Sequence, residues 1–162
     1  MPKVICNTSP IQYLYQVGLL HIIPALVERL HVPPAVVEEL AIGRRRGIAL
    51  PDPADLEWME IEGPASHPVL PLVTDLGAGE TEVLALALEH AGALAIIDDG
   101  PARRVAEALG IKLTGTMGLL IDAKRAGLIT AVAPVLDQLH TLRFRVASHT
   151  RNTVLKLSGE AP

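Results

Sequence analysis

Aromatic residues are nearly absent from this chain. One Trp, one Phe and two Tyr make up 2% of its 162 residues, so the interior has to be filled by aliphatic side chains. Cysteine occurs once, at Cys6, which excludes an internal disulfide and any Cys-rich zinc site and agrees with a reducing compartment. No apolar run reaches the roughly 18 residues of a membrane span, and no signal peptide opens the sequence. A soluble, cytoplasmic protein without membrane contact is expected. An excess of positive charge is missing too: 14 Lys and Arg stand against 18 Asp and Glu, a net charge of −4. Bulk affinity for nucleic acid is thereby disfavoured, while a local basic surface beside an acidic pocket remains compatible with the composition.

What the chain does have is aliphatic content. Hydrophobic residues reach 49%, a composition suited to helices layered on a parallel sheet. The length fits one domain, residues 1–162. "KVIC" reads as a first strand and "SPIQYLYQVGLL" as a helix, with Ser9 at its N-cap and Pro10 at its first position. "HIIPALVERL" follows as a helix and "HVP" as a short extended piece. A third helix begins at Pro34 and is expected to stop at Gly43. The stretch "GRRRGIALPDPADLEWMEIEGPASHP" is a Gly- and Pro-rich excursion, with a strand at "LEWMEIE". A long helix starts near Gly79 and is stopped by Gly92. Strand "ALAII", helix "PARRVAEALG", strand "IKLTG" and helix "TMGLLIDAKRAG" follow, and two last helices flank "FRVA", a candidate edge strand. Strands at 3–6, 94–98 and 111–114, each followed by a helix, predict an α/β fold: a single-domain α/β/α sandwich around a central, mostly parallel sheet.

In an open parallel sheet, ligands gather beyond the carboxyl ends of the strands. Asn7, Thr8 and Ser9 end the first strand, Asp98 and Asp99 end "ALAII", and Thr114, Gly115 and Thr116 end "IKLT". Two helical acids are candidates to join them, Glu39 in "VVEEL" and Glu80 in "GAGETEV".

The ordered segments "CNTSPI", "VPPAVVEEL", "LGAGETEVLALA", "AIIDDGPARRVAEALGI", "LTGTMGLLIDAKRAGLI" and "VLDQLHTLRFRVA" run almost end to end through the chain. Together they resemble the PIN-domain nucleases, especially the small VapC-like toxin relatives with a "GTxG" segment. The resemblance implies acids that bind Mg2+ or Mn2+ and cut single-stranded RNA by hydrolysis. Hard cations of this kind prefer carboxylate oxygen and keep several waters. Two of them about 4 Å apart can activate a water and stabilise the leaving oxygen of a phosphodiester. Carried onto this chain, the family's first-strand acid falls at Asn7, and the helical acid at Glu39, with Glu38 a near-equivalent. The acid opening the long helix falls at Glu80, and the strand-end acids at Asp98 and Asp99, with Asp99 slightly favoured as the one facing the metal. Thr8, Ser9 and Thr116 would be supporting hydroxyls. Also implied are a homodimer, for which "SPIQYLYQVGLLHIIPAL" offers apolar surface, and a cognate antitoxin protein.

Asn7 departs from the family pattern. Its carbonyl can coordinate a metal, but it brings no charge and cannot act as a base. A catalytically inactive PIN fold that binds RNA or a protein is therefore the alternative. Arg44, Arg45 and Arg46 in "GRRRG", and Arg103 and Arg104 after the acid pair, are candidate phosphate contacts, and solvated surface is the competing reading for the first three. Glu80 and Glu82 in a first helical turn also complement the helix dipole without any metal. "GTMG" fits either a phosphate-facing helix start or a tight turn. "GAGE" lacks the full glycine pattern of a nucleotide loop. The six histidines show no ligand spacing, and Ser9 lacks a nucleophile elbow. A receiver-like domain would carry its acid pair after the first strand, and here the pair comes late.

Overall fold

The computed structural model describes residues 2–65 and 75–160. Part of the Gly- and Pro-rich excursion, residues 66–68, lies outside them. Five short strands form the sheet: β1 (Val4–Cys6), β2 (Leu30–Val32), β3 (Met59–Ile61), β4 (Leu94–Ile96) and β5 (Lys112–Thr114). Their order is β3-β2-β1-β4-β5, and each neighbouring pair is parallel. The fold is thus an α/β sandwich, with a sheet that is parallel throughout among the described residues. β1, completely buried, lies in the middle, as its unbroken apolar "VIC" requires of a strand covered on both faces.

Helices connect and cover the strands: α1 (Thr8–Gln16), α2 (Ile22–Val27), α3 (Pro34–Arg45), α4 (Ala78–Glu89), α5 (Gly100–Ala108), α6 (Thr116–Arg125), α7 (Ala133–Thr141) and α8 (Ser148–Leu157). α4 is the central helix. It packs on β1 and β4 with α3 and α5 beside it, and buries Val83, Leu84, Ala85, Leu86 and Ala87 in sequence. That explains the uninterrupted "VLALA": a helix covered nearly all round has no polar face to show. The core is aliphatic as expected. Tyr13 and Phe144 form a ring contact, edge-on at 4.8 Å between centroids.

Four expectations about local structure change. The N-cap of α1 is Asn7, not Ser9, which lies inside the helix. "HVP" belongs to a true interior strand, because β2 pairs with both β1 and β3. Gly43 does not stop α3, which runs on to Arg45; a Cβ there would collide with Leu50, so the glycine admits the returning chain. The turn falls to Gly47, whose φ of +82° suits a residue without a side chain. "FRVA" is not a strand: residues 144–147 carry no ladder, and β5 ends the sheet on that side. The amide of Phe144 instead donates to Leu139 O at 2.9 Å, closing α7 behind Arg143, which adopts φ 68°. No helix among the described residues is long and apolar enough to cross a membrane.

The two last helices are fastened through Glu160. Its carboxylate accepts the amides of Val132 and Ala133 at 2.7 and 3.0 Å, at the start of α7, and pairs with Lys124 at 2.9 Å. Burial is the largest single influence and favours the neutral acid. The two amides and the ammonium together outweigh it and hold the carboxyl down to about 2 from an ordinary 4.5. A carboxyl whose folded pKa is depressed stabilises the fold above its unfolded pKa and loses that contribution as pH falls. Thermal unfolding followed from pH 6 downward should therefore show a loss of stability developing below about 4.5 and complete near 2. Glu160→Gln should flatten that part of the profile and lower the midpoint at pH 6.

Candidate functional site

The chain leaves β1 toward β2 on one side and returns to β4 on the other, so the strand order reverses between β1 and β4. The helices that follow two such strands diverge to leave a crevice at their carboxyl ends. Cys6 is in register with Ile96, and the amide of Asn7 donates to Ile96 O at 3.0 Å. The residues past this pair, Asn7 on β1 and Asp98 two beyond Ile96 on β4, therefore both lie at the switch point. Both oxygens of the Asp98 carboxylate accept hydrogen bonds: Oδ1 from the Thr116 amide at 2.8 Å, and Oδ2 from the Thr116 hydroxyl at 2.6 Å and the Ser9 hydroxyl at 3.3 Å. A Cβ on Gly115 would lie 2.7 Å from Asp98 Oδ1, which is why the residue opening α6 is glycine. Gly118 is needed in turn because a Cβ would strike Thr114 Oγ1. The "GTMG" turn is built for these close approaches.

Glu39 and Glu80 face Asn7 from α3 and α4. The Thr8 hydroxyl donates to Glu39 Oε2, and the Gly79 amide donates to Glu39 Oε1 at 3.1 Å. Asn7 Nδ2 donates to Glu80 Oε1 at 3.3 Å. A methyl group at Gly79 would sit 2.8 Å from both Glu39 oxygens and 3.0 Å from Asn7 Oδ1, so these three oxygens surround one small space. One at Gly77 would sit 2.7 Å from Glu80 Oε2. "GAGE" is thus a backbone cradle for two carboxylates, a role the glycine spacing alone did not disclose. Asn7 stands at the N-cap of α1 yet makes no capping bond, and its Oδ1 is buried without a donor. Nδ2 faces a carboxylate, which fixes the amide orientation and leaves the carbonyl turned into the cluster.

The remaining candidates lie elsewhere. The two adjacent aspartates diverge: Asp98 turns to Ser9 and Thr116, whereas the Asp99 side chain is exposed and caps α5 by accepting the Ala102 amide at 2.9 Å. Glu38 is exposed and pairs with Arg45 at 3.2 Å, and Glu82 accepts the amide of Ala35 at 3.0 Å. Arg44 donates to Pro51 O at 2.6 Å and fastens the loop after α3. At about 1.5 Å per residue, Arg44, Arg45 and Arg46 are roughly 7 to 10 Å further along α3 than Glu39. Arg103 donates to Ile97 O at 2.7 Å and Thr114 O at 3.2 Å, clamping the ends of β4 and β5. Arg104 is exposed. Cys6 is completely buried beneath Asn7, and burial, reinforced by the charge of Asp98, pushes its thiol pKa well up. It is a packed thiol, not a nucleophile.

Among the described residues no three acidic, histidine or cysteine side chains already close on one point as a metal cage. The donor set nonetheless suits a hard divalent cation: carboxylate oxygens from Glu39, Glu80 and Asp98, and a buried amide carbonyl with no other partner.

The protein is thus a parallel α/β sandwich with acids at the carboxyl end of its sheet. The chain belongs to the PIN-domain family, whose model matches residues 3–160. PIN domains are commonly nucleases that act on phosphodiester bonds with divalent metals. No curated protein matches the chain.

The two adjacent aspartates should separate cleanly. Thr116→Val leaves Asp98 short of a charged hydrogen bond and should cost about 2 kcal/mol, read by chemical denaturation, with Thr116→Ser recovering most of it. Asp99→Ala should cost about 1 kcal/mol, the value of a helix cap.

Proposed function

We propose that this protein is a metal-dependent endonuclease of single-stranded RNA, acting at the Asn7, Glu39, Glu80 and Asp98 cluster. The observation that carries the reading is Asn7 Oδ1, a buried acceptor left without a donor among oxygens that would otherwise only repel it. Glu39, Glu80, Asp98 and Asn7 Oδ1 would hold Mg2+ or Mn2+, which when bound supplies a water of lowered pKa and neutralises charge on the phosphate. The protein's own share is positional. Thr8 and the Gly79 amide fix Glu39, Asn7 Nδ2 fixes Glu80, and Ser9 with Thr116 fixes Asp98. Each acid thus keeps its orientation when the crowded charges repel. A cytoplasmic toxin of a toxin–antitoxin pair is the setting we favour, as a homodimer held by a cognate antitoxin. Support for it comes from the resemblance of "CNTSPI" and "GTMG" to the VapC-like relatives.

A second reading is a PIN fold that binds RNA or a protein without cutting. It is favoured by the amide at Asn7 and by the lack, among the described residues, of a ready three-acid cage. Calorimetry with Mg2+ and Mn2+, run beside cleavage of a mixed single-stranded RNA pool, decides between the two. Under the first reading Glu39→Gln, Glu80→Gln and Asp98→Asn each lose cleavage, about 100-fold or more for a group holding the metal. Asp99→Asn stays within a few-fold of the parent, and Asn7→Asp gains Mn2+ affinity. Protein that binds no divalent ion and is indifferent to EDTA would sink the nuclease.

A further inference from the structure

Asp98 also lines a cavity of about 450 Å3, between the turn from β5 into α6 and residues 144–147 ahead of α8. The volume lies in the range of small-molecule sites, about 300–1,000 Å3. Met117, Phe144 and Val146 give it apolar walls, and Arg145 and Thr150 give it a polar rim. The Phe144 wall is anchored on both sides, by its amide on Leu139 O and by the edge-on contact of its ring with Tyr13.

The charges within it are unequal in availability. Asp98 lines the cavity, but both its oxygens already accept hydrogen bonds from Thr116 and Ser9. Arg103 is committed to two strand-end carbonyls. Arg145 is exposed and has no hydrogen-bond or ion-pair partner among the described residues. The uncommitted charge of the cavity is therefore a guanidinium, in a protein whose net charge is −4. A planar guanidinium beside apolar walls suits a ligand that carries both a phosphate and a flat, partly apolar ring.

We propose that this cavity is a nucleotide subsite, holding one nucleotide of the single-stranded RNA while an adjacent phosphodiester lies over the acid cluster. The proposal rests on the nuclease reading and extends it. Asp98 is the joint: it lines the cavity and accepts the hydroxyl of Ser9, whose neighbour Thr8 donates to Glu39. The base takes the apolar walls, Arg145 takes a phosphate of the strand, and the Thr150 hydroxyl offers a hydrogen bond at the rim. No bond is made or broken here: the subsite sets register along the strand.

The test is fluorescence anisotropy with a labelled, uncleavable 2′-O-methyl oligonucleotide, paired with cleavage of the matching RNA. Arg145→Ala should weaken binding about tenfold and reduce the salt dependence of log K by about 0.7, the share of one single-strand phosphate contact. Arg145→Lys should restore the salt dependence, a readout that a merely structural arginine would not move. Thr150→Trp, which fills the cavity, should weaken binding by about tenfold, the worth of one held base. An abasic site scanned along the oligonucleotide should abolish the Thr150→Trp effect at a single position. Wild-type affinity and wild-type cleavage pattern in both Arg145→Ala and Thr150→Trp would overturn the subsite and leave the nuclease standing. Absent cleavage, with binding still dependent on Arg145 and Thr150, would keep the subsite and remove the nuclease. Nucleoside monophosphates binding as tightly as the oligonucleotide would overturn the RNA assignment in favour of a free nucleotide, and a wild-type protein that binds no RNA would overturn it outright.

Discussion

Carboxylates set side by side repel one another, and a cleft removes part of the water that would otherwise screen them. Most of the local architecture at the carboxyl end of the sheet answers that problem. Asp98 draws on an amide and two hydroxyls, Glu39 on a hydroxyl and an amide, Glu80 on the amide of Asn7. The donors come from the first residues of α1, α4 and α6, helices whose N-termini all point to this edge because each follows or precedes a parallel strand. Helix starts leave backbone amides without partners and carry positive potential. The topology therefore assembles acids and their compensation in one place.

Close approach is the second requirement, and glycine meets it. Gly79 and Gly77 let Glu39 and Glu80 settle onto the backbone, and Gly115 does the same for Asp98. None of the three has a positive φ, so conformational freedom is not the reason they are glycine. The reason is steric. A pattern such as "GAGE" invites a phosphate-loop or helix-start interpretation, and only the positions of side chains far away in sequence reveal the carboxylates above it.

The α/β class, the order of the elements and the set of strand-end residues were legible in the sequence, because apolar runs and their Gly and Pro punctuation report local structure directly. Which of the two adjacent aspartates turns inward was not, and Glu39 was preferred to Glu38 only through the family resemblance. Asp98 and Asp99 share one environment in the sequence, yet one turns into the crevice and the other caps α5. Glu38 and Glu39 divide in the same way, toward Arg45 and toward Thr8. "FRVA" carried strand-forming residues, but a strand needs a neighbour, and the turn at Arg143 directs that segment along the cavity wall instead.

Asn7 shows the division most plainly. Composition and pattern by themselves determined that a buried apolar strand would end in a polar residue here, at the edge where ligands of such sheets collect. Tertiary structure decided what the amide does. Pairing of β1 with β4 brings it to the same sheet end as Asp98, packing of α3 and α4 brings Glu39 and Glu80 against it, and Nδ2 is drawn to Glu80. The carbonyl is left buried and unpartnered. Local sequence sets where a chain can bend and what it can bury, whereas the distance between side chains 30 to 90 residues apart is fixed only when the sheet closes.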